Sequence, residues 1–224
     1  PWAGEMVGTT AFCARRQIPS HRVVIAQIDT GFMLDHPALQ GRLVSDGIDL
    51  SGDGRANAAY DTRQRGATYW HATAVASVLA GNTDENVKIL PYKVVRFGTD
   101  TCAASAVLAA MEDAVAKGAR VLNMSLSTSQ NRAGFAAMMD KAAALGVAVC
   151  CSAGNAGEQI SNRYPSALPQ AITVSAVTAD KTVAGFSNYG DLVDYCAPGS
   201  HITVATMDSG GAPAATTASG TSLS

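Results

Sequence analysis

The 224-residue chain has few charges and no excess of either sign. Sixteen Lys and Arg stand against eighteen Asp and Glu, only 15% of the residues, for a net charge of −2. Such a chain offers no polycation to nucleic acid or to an anionic lipid surface, and no nucleic-acid partner is expected. No apolar run reaches the ~18 residues of a bilayer crossing, so no membrane span is expected. Cys-x-x-Cys and His-rich spacings are missing, which argues against a zinc site. Neither a cofactor nor a metal ligand set is read from the sequence. Internal repeats and linkers are absent too. The chain opens at Pro1 without a charged-then-apolar leader, and any signal or pro-segment is expected to have been removed.

What is present is material for a core. Hydrophobic residues make up 47% of the chain, which argues for a globular fold and against disorder. The length suits one domain spanning 1–224. Five cysteines, Cys13, Cys102, Cys150, Cys151 and Cys196, leave at least one thiol unpaired within a chain. Most are expected to be buried small apolar residues. The alternative is one disulfide involving Cys13 or Cys102. Cys150 and Cys151 should face opposite ways if they lie on a strand.

Strand-length apolar runs alternate with helix-period stretches. Val23 to Ile28 reads as a buried strand ending at Asp29, and His71 to Leu79 as a helix stopped by Gly81. Val87 to Val95 reads as a strand, with Pro91 marking an irregularity. Ala103 to Lys117 reads as a helix closed by Gly118, and Val121 to Met124 as a short strand. Gly134 to Leu145 follows as a helix closed by Gly146, then strands over Val147 to Cys151 and Ala171 to Val177. This alternation predicts an α/β fold, a mostly parallel sheet with helices on both faces. Residues 51–54 and 209–213 read as surface turns, the second a mobile neighbour of the motif that follows it.

Four short motifs carry chemistry. Asp29 ends a strand in Ile28-Asp29-Thr30-Gly31, and His71 opens a helix in His71-Ala72-Thr73-Ala74. Asn155 follows a strand in Ser152-Ala153-Gly154-Asn155, and Ser222 ends Ser219-Gly220-Thr221-Ser222. Sites in open parallel sheets form beyond the carboxyl ends of strands, where such residues converge. A serine hydroxyl is protonated at neutral pH and needs a neighbouring base, the role that fits His71. A buried Asp29 accepting the Nδ1–H would hold one tautomer and stabilise the imidazolium. The Asn155 amide and the Ser222 backbone N–H would meet the oxyanion that forms on attack, aided by the dipole of a helix opening at Ser222. Taken singly, each motif also fits a turn residue or polar trim. Together, in this order and after these strands, they point to nucleophilic catalysis.

Asp, His, Asn and Ser in this order resemble the subtilisin-like serine peptidases, and the roles just given are those recognised in that family. The resemblance covers nearly the whole chain. Asn123-Met124-Ser125-Leu126-Ser127 resembles the family's substrate-pairing segment, and Tyr164-Pro165, Phe186-Ser187-Asn188 and Ala197-Pro198-Gly199 resemble further family segments. It implies a three-layer sandwich. It also implies an extended polypeptide substrate paired with Ser125, Leu126 and Ser127, beside Ala153 and Gly154. Aligning Tyr164-Pro165 puts Arg163 near the floor of the pocket for the residue before the cut bond. Its guanidinium there either points inward to an acidic side chain or turns to solvent.

Three departures stand out. Ala72 replaces the family's Gly after the His. Ala38 and the short Asn82-Thr83-Asp84-Glu85-Asn86 connection remove the expected calcium ligands, so that site is not carried over. Only Leu223 and Ser224 follow Ser222, where the family continues with a long helix. The domain is therefore expected to be C-terminally incomplete, lacking those helices; the alternatives are a truncation, a separate C-terminal fragment that stays bound, or a segment supplied by a partner chain. The resulting expectation is a serine endopeptidase acting through an acyl-enzyme on Ser222. The alternatives are a catalytically inactive binding module of the same fold, or a peptide ligase or macrocyclase using the same triad. The resemblance favours a secreted or extracytoplasmic location.

Overall fold

The computed structural model describes residues 2–9, 11, 22–60, 70–99 and 101–224. Helix α1 spans Trp2–Met6. The sheet strands are β1 (Val23–Asp29), β2 (Ile48–Asp49), β3 (Val87–Lys93), β4 (Val121–Met124), β5 (Ala148–Ser152), β6 (Ile172–Val177) and β7 (Tyr195–Pro198). Helices α2 (His71–Asn82), α3 (Ala104–Ala116) and α4 (Arg132–Ala144) connect them, and β8 (Ile202–Met207) with β9 (Pro213–Ala218) forms an antiparallel hairpin. The seven strands lie in the order β2-β3-β1-β4-β5-β6-β7, every pair parallel. The expected α/β class with a parallel sheet is borne out.

Burial sorts the two faces. Ala26 and Ile28 of β1, with Leu90 and Tyr92 of β3, share one apolar cluster with Val107, Met111, Phe135 and Met139 of α3 and α4. Residues two apart on a strand share a face, so Gln27 and Asp29 look the other way. There Ala72, Ala76 and Ala80 of α2 pack with Ile89 and Phe32, and Ala74 and Val75 pack with Ile202, Val204 and Leu223. The alanines let α2 lie close to the sheet. Helices thus cover both faces, making three layers. The order places β3 and β4 on opposite sides of β1, so a crevice opens beyond the carboxyl ends of β1 and β4.

Several local expectations change. Helix α2 runs through Gly81 to Asn82 because its last carbonyls find side-chain donors. The Thr83 hydroxyl donates to Leu79 O at 2.6 Å, the Asn82 amide to Val78 O at 2.9 Å, and the Arg42 guanidinium to Ala80 O. Strand β3 is regular at Pro91, which stays in register with Gln27. Ile89 exchanges bonds with Arg42 and Val44 on the side away from β1. Pro91, two residues on, turns its missing N–H to that same outer side, where no ladder with β1 is lost. Helix α4 starts at Arg132, two residues early, because Asn131 accepts from Gly134 N at 3.2 Å as an N-cap.

Residues 51–54 are more than a surface turn. Lys93 is fully buried beneath them, donating to Asp53 Oδ2 at 2.5 Å, Ser51 Oγ at 2.6 Å and Val95 O at 3.0 Å. Residues 209–213 lie in the tip of the β8–β9 hairpin, where Asp208 Oδ1 accepts from Gly210 N at 2.8 Å and Ala212 N at 2.9 Å. The cysteines differ from expectation as well. Cys151 is buried, Cys102 and Cys150 are half-buried and Cys196 is exposed, all four unpaired. Cys150 and Cys151 do face opposite ways, while Cys13 lies outside the described residues.

Candidate active site

The crevice beyond β1 and β4 is a cleft of about 320 Å³ lined by Asp29, Thr30, His71, Cys102 and the segment Ser125 to Thr128, among others. Asp29 closes β1 at 2% exposure. Its Oδ1 accepts from His71 Nδ1 at 2.7 Å and from the Thr30 N–H at 2.6 Å. Its Oδ2 accepts from the Gln27 side-chain amide at 3.2 Å. An ionised carboxylate only accepts, so the His71 proton facing it sits on Nδ1 and leaves Nε2 as a base.

His71 is delivered by the start of α2. Trp70, the N-cap, has no side-chain cap bond. Thr30 supplies one instead, its hydroxyl accepting from Ala72 N at 3.0 Å, while Thr73 Oγ1 accepts from Met33 N at 2.9 Å. The β1 end and the helix start are therefore stitched together in both directions. Next to Thr30, Gly31 lets the 58–60 segment pass close to the end of β1, because a Cβ there would lie 2.3 Å from Tyr60 Cα. Ala72, in place of the family's Gly, is fully buried in the α2 layer without disrupting the helix. Burial pulls the His71 imidazole down, but the charge and hydrogen bond of Asp29 outweigh it and hold it above its ordinary value.

Asn155 and Ser222 come together through Thr221. Asn155 Oδ1 accepts from the Thr221 N–H at 2.9 Å and hydroxyl at 2.8 Å, and Gly154 N donates to Thr221 Oγ1 at 3.1 Å. Asn188 braces the same loop, donating to Ala153 O at 3.0 Å and accepting from Ala156 N at 2.9 Å. Gly154, at φ 102°, is held so close that a Cβ would meet the Asn188 amide at 2.5 Å. Ser222 belongs to a three-residue 3₁₀ turn, Thr221–Leu223, not to the start of an α-helix. It presents a backbone N–H beside the Asn155 loop. Leu223 anchors the turn on Ala74 and Val75, one turn into the helix that His71 opens. Ser125 Oγ donates to Ser222 O at 3.3 Å, tying the turn to the 125–127 segment. Among the described residues, no hydrogen bond joins His71 to Ser222.

Ser125, Leu126 and Ser127 form one wall of the cleft, and Ala153 and Gly154 lie beside the Asn155 loop. Thr128 pairs with Tyr164 as an antiparallel bridge, bringing Arg163 near this wall. The Arg163 side chain is 46% exposed with Nη2 3.6 Å from Glu158 Oε1, the solvent-turned arrangement. Sequence reasoning missed Gln27, Thr221 and Cys102. The first had a signal, a lone polar residue in an apolar strand two positions before Asp29. Burial, then the charge of Asp29, raises the Cys102 thiol, which keeps it protonated beside the cleft.

Comparison with known proteins gives the family. The Subtilase family model, Peptidase_S8, matches residues 20–224. Halolysin of Haloferax mediterranei is 32% identical over 194 residues, covering 82% of this chain and 36% of the relative. Alkaline protease 1 of Aspergillus clavatus is 32% identical over 204 residues, covering 88% and 47%. The chain thus spans less than half the length of these relatives. A cold-adapted subtilisin-like serine proteinase superposes with a TM-score of 0.74 at 29% identity, covering 93% of this chain and 73% of that one. A lanthipeptide protease shares the fold at a TM-score of 0.80 and 24% identity, covering 100% and 75%. The chain belongs to the subtilase family of peptidases.

Proposed function

We propose that the chain carries the active site of a serine endopeptidase that hydrolyses polypeptides through an acyl-enzyme on Ser222. The observation that carries this reading is the 2.7 Å bond from His71 Nδ1 to a buried Asp29 at the head of a cleft. His71 Nε2 takes the Ser222 proton as the hydroxyl oxygen attacks the substrate carbonyl, then gives it to the leaving amine. Asp29 holds the tautomer and stabilises the imidazolium. The Asn155 amide and the Ser222 N–H receive the oxyanion, which forms where water is partly excluded and such donors count most. Water then attacks the acyl carbon, with His71 as base, and frees Ser222. Substrate lies extended along Ser125, Leu126 and Ser127, pairing backbone to backbone, with Ala153, Gly154 and Arg163 around its last residue before the cut.

A fluorophosphonate probe followed by mass spectrometry of the labelled peptide tests the reading. Labelling at Ser222, abolished by His71→Ala, is the expected result. No labelling of a folded chain would leave a binding module. Transfer of the acyl group to a peptide amine in preference to water would make it a ligase.

A further inference from the structure

Gln27 is the single polar residue in the apolar run from Val23 to Ile28. It is fully buried on the α2 side of β1, and its Oε1 has no hydrogen-bond partner. A buried, half-satisfied amide lowers stability, and an aliphatic side chain would fill the same space without that cost. Its nitrogen accounts for its presence. Nε2 donates both to Asp29 Oδ2 at 3.2 Å and to Ala72 O, in the first turn of α2, at 2.9 Å. Turning the amide over would set Oε1 against two acceptors, so its orientation is fixed.

We infer that Gln27 is a positioning residue for the hydrolytic site, clamping the Asp29 carboxylate to the first turn of the helix that His71 opens. The inference rests on the function proposed above. Oδ1 is held by His71 and Thr30, at 2.7 and 2.6 Å. Among the described residues, Gln27 is the hydrogen-bond donor to Oδ2. Without it the carboxylate is free to turn about its own axis, and the His71 bond loses its alignment. Because Nε2 also grips Ala72, the clamp fixes the strand end and the helix start to one another.

The test compares wild type, Gln27→Met and Gln27→Glu in the full chain. Proton NMR reads the low-field His71 Nδ1–H signal and its titration without requiring turnover. Gln27→Met should weaken or abolish that signal and lower the His71 titration midpoint, while the melting temperature holds or rises. In the peptidase assay kcat should fall about ten- to a hundredfold, as for loss of a hydrogen bond to a charged group, with KM within about twofold. In Gln27→Glu the new carboxyl donates only when protonated, so activity should show an added loss as pH rises. An unchanged signal and titration in Gln27→Met would overturn the inference, whether or not the chain cleaves peptides. So would a rate loss matched by a fall in melting temperature, with Gln27→Glu keeping the wild-type pH profile. Failure of Ser222 to react with fluorophosphonate in the wild type would sink the hydrolytic reading alone, and the NMR comparison would still decide the clamp.

Discussion

Thr221 holds Asn155 by its oxygen. Both the Thr221 N–H and its hydroxyl donate to Asn155 Oδ1, and a backbone N–H only donates, so the facing atom must be the amide oxygen. The amide nitrogen is thereby turned away, 3.5 Å from where a side chain at Gly220 would begin. An oxyanion donor is useful only if its N–H cannot swing to another acceptor, and this arrangement supplies that constraint.

Two substitutions should separate the donor from its brace. Asn155→Ala should lower kcat about 10²–10³-fold, the magnitude known for the corresponding amide in subtilisin. Thr221→Val should cost less, about two- to tenfold in kcat with KM little changed, since one of two bonds to Oδ1 remains. Steady-state kinetics on one peptide substrate measures both. Equal losses would mean that Thr221 contacts the reacting atoms itself.

The pH profile should report His71. Asp29 holds the imidazole above its ordinary value of about 6.5, so kcat/KM should climb with pH through a midpoint above that figure. Asp29→Asn removes the raising cause and leaves burial, so the midpoint should fall below it, with a loss of about 10⁴ in rate as for amidation of a triad carboxylate. The same linkage acts on folding. The stability from the raised folded-state value is complete below about pH 6.5 and is lost as pH rises through the folded midpoint.

Lys93 should prove costly to strand. It is fully buried against Asp53, itself only 10% exposed, with Asp49 at 3.6 Å. Asp53→Ala should therefore destabilise by about 3–5 kcal/mol, a melting temperature lower by about 6–20 °C. Burial raises the Asp53 carboxyl, but the bonds from Lys93 and Phe97 N outweigh it and leave the group below its ordinary value. Its contribution should be present above about pH 4 and be lost as pH falls through the folded value. Thermal melts of the wild type and the variant across that range check both statements.

Chelators should matter less than Arg42. Its guanidinium binds the carbonyls of Ala80, Thr83, Asp84 and Val87 around the end of α2, so a cation already serves those oxygens. Excess EDTA should shift the melting temperature by under about 4 °C, whereas Arg42→Ala should cost about 1.5–3 kcal/mol. A large EDTA effect with a neutral Arg42→Ala would reverse this reading.

Arg163 should not set specificity. With both partners about half-exposed, its pair with Glu158 is worth at most about 1 kcal/mol. Arg163→Ala should leave the ranking of acidic against small residues before the cut bond unchanged within about threefold. A peptide-library profile with a strong acidic preference, lost in the variant, would show the guanidinium turning inward on substrate.

The four motif residues and the strand–helix alternation were legible because each rests on local rules. An apolar run of strand length, an Asp at its end and a Gly after a helix act within a few residues. The β8–β9 hairpin went unread although Ile202 to Met207 carries four β-branched residues before a Gly-Gly turn, because β9 is mostly Ala and Thr and lacks large apolar residues. Its partner β8 makes it a strand. Gly81 looked like a helix stop and is not one, since the side chains of Asn82, Thr83 and the sequence-distant Arg42 donate to the last carbonyls, which the backbone N–H groups of a glycine cap would otherwise serve. The sequence by itself determined the family and the α/β alternation, and it singled out Asp29, His71, Asn155 and Ser222 as the candidate site residues. Only the tertiary structure decided that Gln27 faces Asp29, that Thr221 orients Asn155 and that Lys93 is buried under Asp53. Those contacts join residues through the sheet order and the burial of polar groups, and no local pattern encodes which buried donor meets which buried acceptor.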